Sequence, residues 1–148
     1  MNIVKLTWND IYLAIKELES KIDFKQYDYI IGVARGGVVP ATILSYRHNK
    51  ELNFIGVKSY TNNRTSDGSI ESYIELPMEL ETSNKCLLFI DDLSDTGNTI
   101  NFINTTYSPE TCVINTAVLY EKTKTKVKAT FYGEAVDSDL WLEFPWER

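Results

Sequence analysis

The sequence predicts an α/β fold on a parallel sheet, and three observations lead to it. Short apolar, β-branched runs recur along the chain, stretches of helical spacing lie between them, and two of the runs lead into unusual loops, Arg35-Gly-Gly37 and Asp91 to Thr99. In such a sheet, ligands sit at the carboxyl ends of the strands, where both loops fall.

Taken in order, Thr7-Trp-Asn-Asp10 has the form of a capping box, with Asp in place of the usual Glu or Gln. Ile11, Ala14, Ile15, Leu18 and Ile22 then recur at helical spacing and predict an amphipathic helix. Tyr29-Ile-Ile-Gly-Val33 reads as a strand, Arg35-Gly-Gly37 as a glycine turn, and Val38 to Leu44 as a helix. Phe54-Ile-Gly-Val57 is a second strand, Cys86 to Ile90 a third and Cys112 to Leu119 a fourth, with a helix over Thr99 to Asn104. Between Ser59 and Ser83 lies a polar excursion containing Ser66-Asp-Gly-Ser69, a hairpin-turn signal. So long an excursion inside a domain reads as a mobile lid or a functional loop. Lys122, Lys124, Lys126 and Lys128 alternate with Thr, Thr and Val, the pattern of a solvated edge that resists aggregation.

At 148 residues the chain has room for one domain, 1–148, with its own core. A net charge of -6 argues against a general electrostatic grip on nucleic acid and leaves only a local patch open. No run reaches the roughly 18 apolar residues of a membrane helix, and Met1-Asn-Ile-Val-Lys5 lacks the marks of a secretory signal, so the expected compartment is the cytoplasm. Cys86 and Cys112 sit in apolar runs as small hydrophobes. His48, the single histidine, has no Cys or His at metal-ligand spacing, which excludes a structural zinc site, and it reads as solvent-facing.

The most informative run is Cys86 to Thr99, an apolar strand ending in Asp91 and Asp92, followed by Asp95-Thr-Gly-Asn-Thr99 and a helix. A helix start presents unpaired N–H groups and a positive dipole end to an anion. The 95–99 turn adds two hydroxyls and a glycine that permits close approach, while Asp91 and Asp92 can accept from ribose hydroxyls. Three carboxylates within five residues repel one another unless something electropositive binds there. The run therefore reads as a sugar-phosphate site, and phosphate chemistry in so acidic a chain needs a metal cation.

With these residues together, the chain resembles the type I phosphoribosyltransferases over nearly its whole length, in the 6-oxopurine branch that includes the bacterial xanthine-guanine enzymes. The signature is Phe89-Ile-Asp-Asp-Leu-Ser-Asp-Thr-Gly-Asn-Thr99, with Asn98 where many relatives carry Lys or Gly. Val33-Ala-Arg-Gly-Gly37 resembles the pyrophosphate loop, with a tight, often cis backbone at the Arg-Gly step. Lys58-Ser-Tyr60 resembles the start of a lid spanning about 59–83. Tyr120-Glu-Lys-Thr123 resembles the strand end whose lysine donates to the exocyclic oxygen of a 6-oxopurine. Trp141-Leu-Glu-Phe-Pro-Trp-Glu147 resembles a purine pocket in which Trp141 stacks on the base while Trp146 packs beneath.

The resemblance implies a parallel-sheet phosphoribosyltransferase fold with flanking helices, a mobile lid and a small C-terminal purine-binding hood within about 120–148. It implies an Mg²⁺-dependent enzyme of purine salvage that transfers the 5-phosphoribosyl group from phosphoribosyl pyrophosphate to N9 of guanine, xanthine or hypoxanthine. Asp95 would take the proton lost by the base, with Asp91 and Asp92 holding ribose and, through water, the metal. Phosphoribosyl pyrophosphate would lie on Arg35, Gly36, Ser59, Tyr60, Asp91, Asp92, Ser94, Asp95, Thr96, Gly97, Asn98 and Thr99. The purine would lie on Lys122, Trp141 and Leu142. A homodimer or homotetramer is expected, with no nucleic acid partner and no membrane span. Two alternatives stay open: a phosphoribosyl pyrophosphate sensor without catalysis, and a transferase for another nucleobase. An ammonium donor at Lys122 suits a carbonyl and disfavours adenine.

Overall fold

The computed structural model describes residues 2–59, 70–81, 84–107 and 113–148. Strand β1 (Asn2–Lys5) precedes the helix that starts at the capping box. Thr7 Oγ1 accepts from the Asp10 N–H at 3.1 Å, and Asp10 Oδ2 accepts from the Thr7 N–H at 2.7 Å. Such caps contribute about 0.5–2 kcal/mol because they satisfy donors that a helix start leaves open. Helix α1 (Trp8–Glu19) then turns Ile11, Ala14, Ile15 and Leu18 inward, and all four are buried.

The chain continues through β2 (Tyr29–Ala34), α2 (Val38–His48), β3 (Glu51–Ser59), β4 (Ile70–Ile74), the single turn α3 (Met78–Glu81) and β5 (Leu87–Ser94). It ends with α4 (Asn98–Thr106), β6 (Ile114–Lys122), β7 (Phe131–Val136), β8 (Leu140–Glu143) and a 3₁₀ turn at Pro145–Glu147. Six strands form one sheet in the order β4-β3-β2-β5-β6-β7. Every pair in it is parallel except β3 with β4.

A parallel centre is covered on both faces, which is why its strands read as continuous apolar runs. Ile30, Leu88, Ile90 and Leu119 pack on one side with α1 and α2, while Ile31, Ile55, Phe89 and Ile103 fill the other. Apart from the sheet, β1 and β8 make a parallel ribbon from Asn2 opposite Leu140 to Lys5 opposite Glu143. The N-terminal strand thus ties down the C-terminal segment.

Four sequence expectations change. The third apolar strand does not stop at the acidic pair: β5 runs to Ser94, because β6 extends beside it and pairs Val118 with Asp91, Tyr120 with Leu93 and Glu121 with Ser94. The lysines after Lys122 are not on a sheet edge; the edge is β7, and residues 123–130 form a connection laid against the 95–99 turn. His48 is not solvent-facing, since it stacks on Phe24 at 3.6 Å between centroids and its Nε2 lies 2.5 Å from Glu19 Oε2. The cis peptide is at Ala34–Arg35, one step before the Arg-Gly step.

The turn signal at Ser66 to Ser69, Tyr60 and Cys112 lie outside the described residues, though the antiparallel pairing of β3 with β4 on either side of the turn is present. No helix among the described residues is long and apolar enough to cross a membrane.

Candidate functional site

Three loops meet at the carboxyl ends of β2, β5 and β6. After β2, the chain turns at Arg35-Gly36-Gly37, with the Gly37 N–H donating to Val33 O at 2.8 Å. Gly36 lies against the acidic pair: a Cβ there would come within 2.2 Å of Asp92 Oδ2. A side chain there would displace the Asp92 carboxyl from the Arg35 turn, so the glycine keeps the two in contact.

Asp91 and Asp92 lie in the C-terminal half of β5, which runs on to Ser94. Asp91 Oδ1 accepts from the Asp92 N–H at 2.8 Å. Burial pushes the Asp91 carboxyl well above its ordinary range, and the Asp92 charge pushes the same way. Burial also raises Asp92, against lowering hydrogen bonds from Asp91 and the Leu93 backbone. Two partly buried carboxylates that resist joint ionisation make a place where a cation would relieve repulsion. No group of three or more His, Cys, Asp or Glu suited to a metal exists among the described residues. A cation here would take one or two carboxylates and complete its shell from substrate oxygens and water, the usual habit of Mg²⁺.

The 95–99 turn forms a small cup of about 90 Å³ lined by residues 93–100. Gly97 is the N-cap of α4 and sits at φ 91°, in the left-handed region, with no side chain to cap the helix. Asp95 and Thr96 are exposed, Asn98 is exposed and Thr99 is half-buried, so all four are accessible to a ligand. Ser94 differs: it is 4 % exposed, and its Oγ lies 3.3 Å from Thr125 Oγ1, a bracing position inside the fold. On the other side of the Arg35 turn, a cleft of about 680 Å³ is lined by Arg35, Val57, Lys58, Ser59 and Tyr73. It carries two cations and is large enough for a charged small molecule.

Lys122 ends β6 and is 5 % exposed. Its Nζ donates to Ser138 O at 3.2 Å and to Leu140 O, and lies 3.9 Å from Asp95 Oδ1. The ammonium therefore joins the acidic turn to the strand that carries Trp141. Trp141 itself is 54 % exposed and unobstructed by the core. Leu142 is buried in the core, so only its backbone can face a ligand. Trp146 stacks on Phe144 at 4.9 Å and meets Trp8 at 6.0 Å, which is packing.

Of the sequence-predicted residues, the structure brings together Arg35, Gly36, Asp91 and Asp92 on one side, and Asp95, Lys122 and the Trp141 strand on the other. Sequence reasoning missed Tyr73, which lines the Arg35 cleft from β4. It also missed the 123–129 connection behind the cup. Gly97, which takes a left-handed φ and packs on Val127, was visible in sequence only as a glycine, and nothing in residue type marked its partner.

Known proteins share the fold. The phosphoribosyl transferase domain model matches residues 6–147. A xanthine-guanine phosphoribosyltransferase of Cereibacter sphaeroides is 30% identical over 149 residues, covering 96% of this chain and 85% of that protein. A purine phosphoribosyltransferase from Pyrococcus horikoshii superposes with a TM-score of 0.79 at 32% identity, covering 100% of this chain and 96% of its own. A protein from Neisseria gonorrhoeae with bound ppGpp superposes with a TM-score of 0.84 at 25% identity, covering 99% and 90%.

Proposed function

The chain belongs to the phosphoribosyl transferase domain family, and we propose that it transfers the 5-phosphoribosyl group from phosphoribosyl pyrophosphate to N9 of a 6-oxopurine. The observation that carries this reading is the meeting of Asp95 and Lys122, 3.9 Å apart, between the phosphate cup and the Trp141 strand. A donor site and a base site then share one boundary.

In this reading the 95–99 turn holds the 5-phosphate through backbone N–H groups and the hydroxyls of Thr96 and Thr99. Asp91 and Asp92 hold the ribose diol. Arg35 and the backbone of Gly36 receive the diphosphate, with Ser59 lining the same cleft and Tyr60, outside the described residues, as a further contact. The N9–C1 bond forms as the bond from C1 to the pyrophosphate oxygen breaks, and pyrophosphate leaves. Asp95 takes the proton that the purine loses on becoming a nucleotide. Lys122 donates to the 6-oxygen, Trp141 stacks on the ring and the Leu142 backbone reads its edge. Held this way the reactants need no further orientation, which removes much of the entropic barrier.

The donor set fits Mg²⁺, with Asp91 and Asp92 as its holders through water. Bound there, the cation would supply positive charge to offset that on the departing diphosphate. The activity belongs to purine salvage in the cytoplasm, carried out by a homodimer or homotetramer with closed symmetry.

A panel of guanine, xanthine, hypoxanthine, adenine and uracil, each with phosphoribosyl pyrophosphate and titrated Mg²⁺, tests the proposal by nucleotide formation. Product with the oxopurines alone, and only with Mg²⁺, is expected. Product with adenine would remove Lys122 from its role. A second reading, favoured by the relative with bound ppGpp, is that the same cleft takes a guanine nucleotide as a regulatory ligand. Binding of such a nucleotide without turnover of any base would select it.

A further inference from the structure

Lys122 enters the reading above, but the seven residues after it do not. We propose that residues 123–129 form a strap that holds the 94–99 turn in its anion-receiving shape, with Thr125 as the positioning residue for the 5-phosphate. The inference rests on reading that turn as the 5-phosphate cup.

Within the cup itself the Asn98 N–H donates to Thr96 Oγ1 at 3.3 Å and the Asn101 N–H to Gly97 O at 2.9 Å, and neither bond fixes Gly97 from behind. Gly97 caps α4 without a side chain and sits at φ 91°, a region that glycine enters freely and therefore also leaves freely. The strap supplies the missing constraints from behind. Its Lys126 N–H donates to Thr96 O at 3.0 Å. Thr125 is 7 % exposed, and its Oγ1 lies 3.3 Å from Ser94 Oγ while also reaching Val127 O at 3.4 Å. A Cβ on Gly97 would meet Val127 N at 2.6 Å and Thr125 Oγ1 at 2.9 Å. The two backbones are thus as close as a missing side chain allows.

The strap is itself anchored at both ends. The Thr125 N–H donates to Lys122 O at 3.2 Å, and the Lys124 N–H donates to Ser138 Oγ at 2.8 Å. At the far end the Ala129 N–H donates to Glu121 Oε2 at 2.8 Å, and Lys128 Nζ stands 3.5 Å from Glu121 Oε1. Glu121 is only 3 % exposed. Burial of a carboxylate is costly unless its oxygens are matched, and these two are matched by strap residues. Thr125 therefore sits at the centre of a fixed span and lies against the turn at the Ser94 side chain and Gly97, while its neighbour Lys126 holds Thr96, so the span backs the turn that would meet the phosphate. A displacement of about 1 Å at such a point is enough to degrade binding of a group held by several backbone donors.

The test compares Thr125→Val, which keeps the shape and removes the hydroxyl, with Thr125→Ser, which keeps the hydroxyl. Calorimetry measures binding of ribose 5-phosphate and, separately, of pyrophosphate with Mg²⁺. Hydrogen exchange of the 95–99 amides is followed without ligand. T125V is expected to weaken ribose 5-phosphate about fivefold to tenfold, the scale of one buried hydrogen bond. It should leave pyrophosphate unchanged and speed exchange across 95–99, while T125S stays close to wild type in all three. Unchanged ribose 5-phosphate binding in T125V overturns the proposal, as does an equal loss of both ligands. Wild-type protein that binds neither ligand overturns the phosphoribosyl reading and the 5-phosphate role with it. Exchange across 95–99 that T125V leaves unchanged overturns the strap whatever the ligands do.

Discussion

The proposed ribose-phosphate end of the cleft is one stretch of chain, residues 91–99, whereas the proposed base end is gathered from Lys122, the turn at Ser138, strand β8 and the N-terminal strand β1 that pairs with it. The difference follows from what each end would recognise. A phosphate is held by consecutive peptide N–H groups, so its site has to be contiguous and its key residues are glycines and hydroxyls. A planar base offers edges and a face, and these can be met by side chains and carbonyls brought from anywhere in the fold. The first kind of site leaves a signature in sequence; the second leaves scattered aromatics and a lysine.

The boundary between the two ends is Asp95, and the largest effect is expected there. Asp95→Asn should lower kcat by about 10²- to 10⁴-fold, the range for loss of a positioned acid or base. Phosphoribosyl pyrophosphate affinity, measured by calorimetry, should stay within about twofold of wild type because the cup's backbone is unaltered. Equal losses in turnover and binding would make Asp95 part of the cup and erase the division.

Gly97→Ala attacks the contiguous end alone. The new methyl has to enter a 2.6 Å gap to Val127 N at a φ of 91°, a strain of roughly 1–3 kcal/mol. The KM for phosphoribosyl pyrophosphate should rise at least about tenfold, while that for the purine changes little. Parallel increases in both would show that strap and hood move as one piece, which the Lys124 bond to Ser138 makes geometrically feasible.

The same division explains what was legible in the sequence. The capping box at Thr7, the helical stripe from Ile11 to Leu18 and the buried strands at Ile30 and Leu88 depend on local periodicity and were read directly. So was the acidic turn, where residue types dictate local geometry. The strand β1, its pairing with β8 and the bracing of Ser94 by Thr125 depend on chain segments more than 30 residues apart, between 94 and 125 or between 2 and 140. No local pattern carries such pairings. β5 was read four residues short at its end for a related reason: Asp91 and Asp92 are poor strand formers, and the ladder to β6 holds the strand extended regardless.

Lys122→Met tests the gathered end. The substitution removes the donor that Ser138 O and Leu140 O share, so two carbonyls lose a partner at about 1–3 kcal/mol. The purine KM should rise about tenfold, with a melting temperature lower by a few degrees. Trp141→Ala should raise the same KM by about fivefold or more, at the low end of the 1–3 kcal/mol of base stacking, since one face of the ring remains in solvent. It should leave the melting temperature unchanged because the ring is 54 % exposed. An unmoved purine KM in both variants would place the base elsewhere.

The smallest effect belongs outside both ends and calibrates them. Glu19, at the end of α1, accepts from Arg47 Nε at 2.9 Å and faces His48 Nε2 at 2.5 Å. Burial raises its carboxyl, but the hydrogen bonds and charges of Arg47 and His48 outweigh burial and hold it below its ordinary range. A depressed carboxylate stabilises the fold fully above its unfolded pKa, about 4.3, and loses that contribution as pH falls through the lower folded value. Glu19→Gln should cost roughly 0.2–1 kcal/mol at neutral pH, and its denaturation midpoint should approach that of wild type as pH falls below about 4. Kinetic constants for both substrates should not move, since Glu19 touches neither end of the cleft. A change in either constant would show that stability lost anywhere in the domain reaches the site, and the selective losses expected of Gly97 and Lys122 would then have to be read against that background.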